Sequence, residues 1–355
     1  MTGQTHPTKI TVLRLSAIGD VLMLLPAVRL LKKTFPETQI DWLIDQPIAS
    51  LLSEVSEINV VPIKKPRSIR DYWQLKHQWQ NNNTGQLISF QTSLVSNLVM
   101  MLLPADHKTG FGKPYSREGH HLFVDTAYDL PKNLHQVEIF FALAQNFSGL
   151  TDKISISAED LKLPVNSIDT GWAKEQLKPN QSWIAINPMA STQEKTWATE
   201  NYITLFNELQ KNHPEYQIVL TGGPSEKEIK LSKAIQAQTT ANVLNLVGKT
   251  TLTQLAAVFE QVDLLIAPDT GPLHLANAVA TPAIGLYAVT RPEYIGPYNQ
   301  QHNCINIYPQ SAERFMQSSA NQLPWQKKIP SLDAMQMISV QQVLDKIHSV
   351  LLWKF

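Results

Sequence analysis

Short β-rich runs alternate with segments of helical period along most of the chain, and that alternation permits few architectures. Residues 10–15 are apolar but for Thr11 and Arg14, and the run stops at Ser16-Ala17-Ile18-Gly19-Asp20. Beyond this turn, apolar residues recur at helical spacing as far as Leu31. The pattern repeats as strand over 40–44, short helix over 49–55, strand over 60–63 and helix over 69–80. Strand over 87–90 and helix over 94–103 follow, and a helix over 135–147 closes the first half. Strands in this order need helical crossovers, so they form parallel sheets with helices on both faces. Pro164, Asn166, Gly171 and Pro179 interrupt the pattern, which places an interdomain linker there. A second cycle puts strands at 183–186, 217–221, 243–246, 264–267 and 283–287, with helices at 202–211, 226–236, 252–259 and 273–279. The expected organisation is therefore one doubly wound domain over 1–165, a linker over 166–179 and a second such domain over 180–330. Residues 310–330 read as polar and irregular. Residues 331–355 hold a closing amphipathic helix over 340–351, expected to pack back on the first domain.

The 355 residues suit two α/β domains, and 43% hydrophobic with 17% charged residues is a globular composition. Thirty basic residues against thirty acidic ones leave no net charge, which argues against nucleic acid as a partner. The single Cys304 excludes an internal disulfide and any multi-thiolate metal site. Residues 1–9 are polar and lack the features of a secretory signal. The most apolar runs, 21–31 and 94–103, are shorter than the roughly 20 residues a membrane span requires. A cytoplasmic chain without a transmembrane helix is expected.

Ligands of open parallel sheets bind beyond the carboxyl ends of the strands, so the loops there are the candidates for chemistry. In Asp269-Thr270-Gly271-Pro272-Leu273-His274, Gly271 permits close approach and Pro272 suits a first helical turn. Such a helix start offers free N–H groups to a diphosphate, with the Thr270 hydroxyl as a further donor. It reads equally as a capped helix with a core histidine, His274. Glu226, after Gly222-Gly223-Pro224-Ser225, can accept from ribose hydroxyls or simply favour a helix start. Lys195 stands in a loop containing Ser191 and Thr192, and is either a counter-charge for a leaving phosphate or a solvated lysine. Asp20 is either a helix-start carboxylate or a general base. Lys64, Lys65, Arg67 and Arg70, with Arg117, make a basic group that fits an anionic acceptor, a lipid headgroup or a solvated face. Glycine-rich dinucleotide and phosphate loops, His-Glu-x-x-His, Gly-x-Ser-x-Gly and Asp-x-Asp are all absent. No metal site and no cofactor are expected.

Taken together, these segments resemble glycosyltransferase family 9, the ADP-heptose:lipopolysaccharide heptosyltransferases. The likeness rests on residues 16–22 with Leu25-Pro26-Ala27, and on residues 269–276, in the family's order and separation. Asp41-Trp42-Leu43 and Lys195 with Trp197 add to it, as does Ser116-Arg117-Glu118 followed by His135 with Val137-Glu138, which is most similar to the heptosyltransferase I branch. The resemblance implies a GT-B fold, with two Rossmann-like domains facing a cleft, acceptor on the first and nucleotide sugar on the second. It implies metal-free, inverting transfer of heptose from ADP-heptose, or a similar nucleotide sugar, to the anionic Kdo-lipid A core. That reaction belongs at the inner face of the cytoplasmic membrane. Asp20 becomes the catalytic base. Ser191, Thr192 and Lys195 would meet the diphosphate, Glu226 the nucleoside, and Asp269, Thr270, Gly271 and His274 the sugar or diphosphate. Lys64, Lys65, Arg67, Arg70 and Arg117 would hold the acceptor. Two departures bear on donor choice: Thr290-Arg291-Pro292 stands where the family often has Thr-Asp-Pro, and Ala190-Ser191 replaces a run of hydroxyls. The alternatives are another nucleotide-activated sugar on the same fold and a two-domain sugar-binding protein without chemistry. The placement of Asp20 disfavours the second.

Overall fold

Parallel strands buried on both faces need nearly continuous apolar runs, and the first strand has one. In the computed structural model, which describes residues 7–152 and 154–352, Ile10, Val12, Leu13 and Leu15 are wholly buried. The chain divides into two compact units, Met1–Leu163 and Pro164–Phe355. The first unit contains β1 (Lys9–Leu13), α1 (Ile18–Thr34), β2 (Gln39–Asp45), α2 (Gln46–Ala49), β3 (Asn59–Ile63) and α3 (Ile69–Trp79). It continues with β4 (Gln86–Ser89), α4 (Leu94–Leu102), β5 (His107–Phe111), β6 (Thr126–Tyr128) and α5 (Gln136–Phe147). Its six strands lie in the order β3-β2-β1-β4-β5-β6, all neighbours parallel. The chain winds from β1 outward to β3 and then returns to start again at β4. Strand order therefore reverses between β1 and β4, where neighbouring loops part and leave a crevice.

The second unit begins with α6 (Ser167–Leu177), β7 (Ser182–Ile186), α7 (Thr199–Asn212), β8 (Tyr216–Leu220), α8 (Glu226–Gln238) and β9 (Val243–Asn245). It goes on through α9 (Leu252–Gln261), β10 (Leu264–Pro268), α10 (Gly271–Ala278), β11 (Ala283–Tyr287) and α11 (Pro292–Ile295). It ends with β12 (Ile305–Asn306), α12 (Tyr308–Met316) and α13 (Val340–Leu352). The strand order β12-β11-β10-β7-β8-β9 reverses between β7 and β10. Each unit is thus doubly wound, as the alternating pattern predicts.

Two expectations need correction. Residues 166–179 are mostly helix rather than linker: the Asn166 side chain accepts from the Asp169 N–H at 2.8 Å and caps α6. Ala173 and Leu177 bury the narrow apolar stripe of α6, which packs on α9. The polar stretch 310–330 begins inside α12, whose Tyr308, Ser311 and Ala312 are buried. The closing helix α13 finds its packing within its own unit. Val343, Ile347 and Leu351 join that unit's core, and α13 contacts α7 and β12. Each such buried aliphatic side chain contributes roughly 1.5–3 kcal/mol. Among the described residues, no helix is long and apolar enough to cross a membrane.

Candidate active site

At the reversal point of the first sheet, the loop after β1 meets the end of β4. Asp20 is the third residue of α1, and one of its carboxylate oxygens accepts from the Ala17 N–H at 3.3 Å. The same oxygen pairs with the Arg14 guanidinium at 2.5 Å. Arg14 also donates to the Phe90 carbonyl at 2.6 Å, and its guanidinium lies 5.2 Å from the centre of the Phe140 ring. The Leu15 N–H, facing the same strand end, donates to the Gln91 side chain at 2.8 Å. Asp20 thus closes the start of α1 and is also paired with a half-enclosed cation. Arg14 escaped the sequence reading. The available signal was a cation inside an apolar strand run, where a charge needs a partner.

The basic group divides on inspection. Lys64 pairs with Asp71 at 2.8 Å, and this bond holds the Asp71 carboxyl far below the usual carboxylate range. Asp71 also accepts from the backbone N–H groups of Arg67 and Ser68, both at 3.0 Å, and so closes the start of α3. Lys64 is thus neutralised, whereas Lys65 reaches back to donate to the Ser16 hydroxyl at 3.2 Å. Lys65 is the member of the group that touches the Asp20 loop. Arg67, Arg70 and Arg117 are exposed, and among the described residues none has an ion-pair partner. The His135-x-Val137-Glu138 match is a helix start. His135 accepts from the Val137 N–H at 3.1 Å, and Glu138 accepts from the His135 N–H at 2.9 Å.

The second reversal point brings together the loops after β7 and β10. Lys195 is only 9% exposed and Asp269 only 5%. Their side chains meet at 2.5 Å, and the Thr290 hydroxyl donates to the same Asp269 oxygen at 2.7 Å. The solvated alternative for Lys195 is thereby removed. Its loop is pinned by Trp197, which is buried, donates to the Ile338 carbonyl at 2.9 Å and stacks edge-on against Tyr202. Ser191 and Thr192 remain exposed in that loop. Thr270 precedes α10 without using its side chain as a cap, and Gly271 and Pro272 open the helix. Of the first residues of α10, Gly271 carries an N–H, Pro272 has none, and the Leu273 N–H donates to the Thr270 carbonyl at 3.1 Å. His274 is buried on the same helix.

Glu226 is exposed at the first position of α8. Its neighbour Glu228 is the residue that closes the turn, accepting from the Gly223 N–H at 2.8 Å and the Ser225 hydroxyl at 2.6 Å. Arg291 turns away from Asp269. It donates to the carbonyls of Ala320 and Leu323, and it lies 4.5 Å from the centre of the Tyr308 ring and 5.5 Å from that of Trp325. The cation that replaces the family's common acid is therefore a clamp on the segment after α12, not a charge at the crevice. Among the described residues, no three His, Cys, Asp or Glu side chains are grouped so as to hold a metal ion.

The sequence profile of glycosyltransferase family 9 (heptosyltransferase) matches residues 72–323, most of the chain. Lipopolysaccharide core heptosyltransferase OpsX of Haemophilus influenzae is 28% identical over 344 residues, with 97% of each chain covered. Lipopolysaccharide heptosyltransferase 3 of Escherichia coli K12 is 25% identical over 79% of this chain and 83% of its own. Among solved structures, the glycosyl transferase family 9 protein of Veillonella parvula superposes with a TM-score of 0.79 at 20% identity, covering 97% of both chains. Escherichia coli heptosyltransferase WaaC, solved with ADP, gives 0.73 at 20% identity over 96% of this chain and 99% of its own. The two doubly wound units are thus the Rossmann-like pair of the GT-B fold, and the chain belongs to glycosyltransferase family 9, the heptosyltransferases.

Proposed function

We propose that the chain transfers heptose from ADP-heptose to the anionic Kdo-lipid A core of lipopolysaccharide, with inversion and without a divalent metal. The first unit holds the acceptor and the second holds the donor, at the inner face of the cytoplasmic membrane. The observation that carries this reading is the buried Lys195-Asp269-Thr290 group beside the start of α10. A cation and a helix N-terminus converge there on the crevice of a Rossmann-like sheet, and this is a diphosphate site. The relatives named as lipopolysaccharide heptosyltransferases and the solved heptosyltransferase bound to ADP support the choice of donor.

In the reaction, the acceptor hydroxyl gives its proton to the Asp20 carboxylate. Its oxygen then attacks the anomeric carbon, and the carbon–oxygen bond to the diphosphate breaks with both electrons leaving on ADP. Attack from the face opposite the leaving group inverts the configuration. Arg14 keeps Asp20 pointed at the crevice, so the base is oriented before substrate arrives. Lys195, held by Asp269, meets the charge that grows on the diphosphate, and the N–H groups at Thr270 and Gly271 share it. Ser191 and Thr192 supply further donors, Glu226 accepts from the nucleoside, and His274 backs the helix that faces the sugar. Lys65, Arg67, Arg70 and Arg117 bind the anionic acceptor, while Lys64 contributes through Asp71 to the shape of the loop.

The test is incubation with a panel of nucleotide sugars, ADP-heptose among them, and Kdo-lipid A, with product mass determined in buffer containing chelator. One added heptose from ADP-heptose alone is expected. Transfer of a different sugar, or transfer only after magnesium or manganese is added, overturns the corresponding part of the reading.

A further inference from the structure

Outside the candidate site, the largest anomaly on the first unit is the outer face of α3. Ile69 is 88% exposed and Trp73 64% exposed, although most large apolar side chains of this unit are buried. They stand four residues apart on one helix face, opposite Leu75 and Trp79, which enter the core beside α4. Trp73 rests edge-on against His77, with ring centres 4.1 Å apart, so its ring is held outward rather than folded onto the core. Residues 64–77 carry five cations, Lys64, Lys65, Arg67, Arg70 and Lys76, against one acid, Asp71, in a chain of zero net charge. Asp71 is already engaged by Lys64. Positive charge beside an outward isoleucine and tryptophan is the composition that docks on an anionic bilayer: cations meet the headgroups and the indole sits at the interface.

Position supports the same occupant. In a parallel sheet all carboxyl ends lie on one edge, and α3 starts from the carboxyl end of β3, as α1 starts from that of β1. The Lys65-Ser16 bond ties the start of this face to the Asp20 loop. Leu94, which opens α4 beyond the carboxyl end of β4, is also exposed, and its N–H donates to the Glu118 carboxylate. A second copy of the chain is a poor occupant, because a twofold contact through this face would set Arg67 and Arg70 against like charges.

We propose that the α3 face formed by Ile69 and Trp73, with Arg67 and Arg70 at its border, docks the first unit on a bilayer of anionic headgroups. It thereby presents the Asp20 loop to a lipid-borne acceptor. This rests on the acceptor reading above and adds to it the surface that reaches the membrane. The test uses the full chain and flotation with phosphatidylcholine vesicles, with and without phosphatidylglycerol, in the absence of any sugar donor. The parent binds the phosphatidylglycerol vesicles, and less so as salt rises.

Ile69→Ser/Trp73→Ser is expected to weaken that binding by about tenfold or more, at parental melting temperature because both side chains are exposed. The same variant keeps parental turnover on a soluble, deacylated acceptor and loses it on an acceptor embedded in vesicles. A parent that ignores phosphatidylglycerol, or a double variant that binds as the parent does, overturns the proposal. Equal losses on soluble and embedded acceptor overturn it too, as does a parental dimer in sedimentation that the variant abolishes. Vesicle binding is read without catalysis, so a failure of heptose transfer is distinguishable from a failure of docking.

Discussion

Arg14 and Lys195 do the same kind of work at the two reversal points: each is a cation at a strand end that fixes a carboxylate. For Arg14 the geometry is a fork, with one nitrogen on Asp20 and another on the Phe90 carbonyl. A lysine has no such fork, so Arg14→Lys should restore charge but not direction. Arg14→Met is expected to lower turnover while donor affinity stays at the parental value, and Arg14→Lys to recover only part of the turnover. Steady-state kinetics with donor calorimetry check this. For Lys195 the partner is enclosed, so Lys195→Met leaves the Asp269 carboxylate buried without a cation. Such a change costs about 3–5 kcal/mol, read as a fall in melting temperature. Adding Asp269→Asn removes the orphaned charge and should recover most of the stability without recovering affinity for ADP. If the double variant binds ADP as the parent does, Lys195 serves the fold alone.

At the scale of elements, the loop between β5 and β6, which carries Arg117, shows how one buried ring can hold a segment in place. His120 donates through Nδ1 to the Asn97 side-chain oxygen at 2.7 Å, since the Asn97 amide nitrogen is occupied as donor to the Glu118 carbonyl at 3.2 Å. Among the described residues its other nitrogen has no partner and is buried against Gly110, where an added Cβ would lie 2.1 Å away. Burial, with a smaller effect of His121, lowers the His120 pKa from 6.5 to about 4. The unfolded chain therefore binds this proton first as the pH falls. Stability is intact above pH 6.5 and is lost between there and about pH 4, by up to about 3 kcal/mol. Melting curves across this range should show a drop that shrinks in His120→Gln. Gly110→Ala should destabilise at every pH, because the ring must shift.

Not all elements were equally open to sequence reading. The long strand–helix cycles were legible because buried parallel strands are continuous apolar runs. Strands β5, β6 and β12 were not, being short and rich in His, Lys, Thr and Asn at or near sheet edges where the apolar demand is low. Helix α6 hid behind Gly171 and a stripe of two buried residues. The candidate loops themselves followed from their positions after strands. The pairing of Lys195 with Asp269 spans 74 residues and depends on which strands become neighbours, and no local pattern encodes that.

For the whole molecule, the proposed reaction divides labour between two units: acceptor and base on the first, leaving group on the second. Neutralising Lys65, Arg67, Arg70 and Arg117 together should therefore raise the acceptor KM far more than the donor KM. The difference should narrow as salt rises, because screening already weakens exposed charges in the parent. An unchanged acceptor KM would return these residues to the status of a solvated face. In the proposed reaction Asp20 removes the acceptor proton while the second unit holds the donor, and Asp20→Asn separates the two roles. General-base catalysis contributes about 10²–10⁴-fold, so Asp20→Asn should lower kcat by that order. Donor Kd should stay at the parental value and melting temperature close to it, since the asparagine side-chain oxygen can still accept from Arg14 and from the Ala17 N–H. Parental turnover in Asp20→Asn, measured beside parental donor binding, would exclude Asp20 as the base and place that role at another residue.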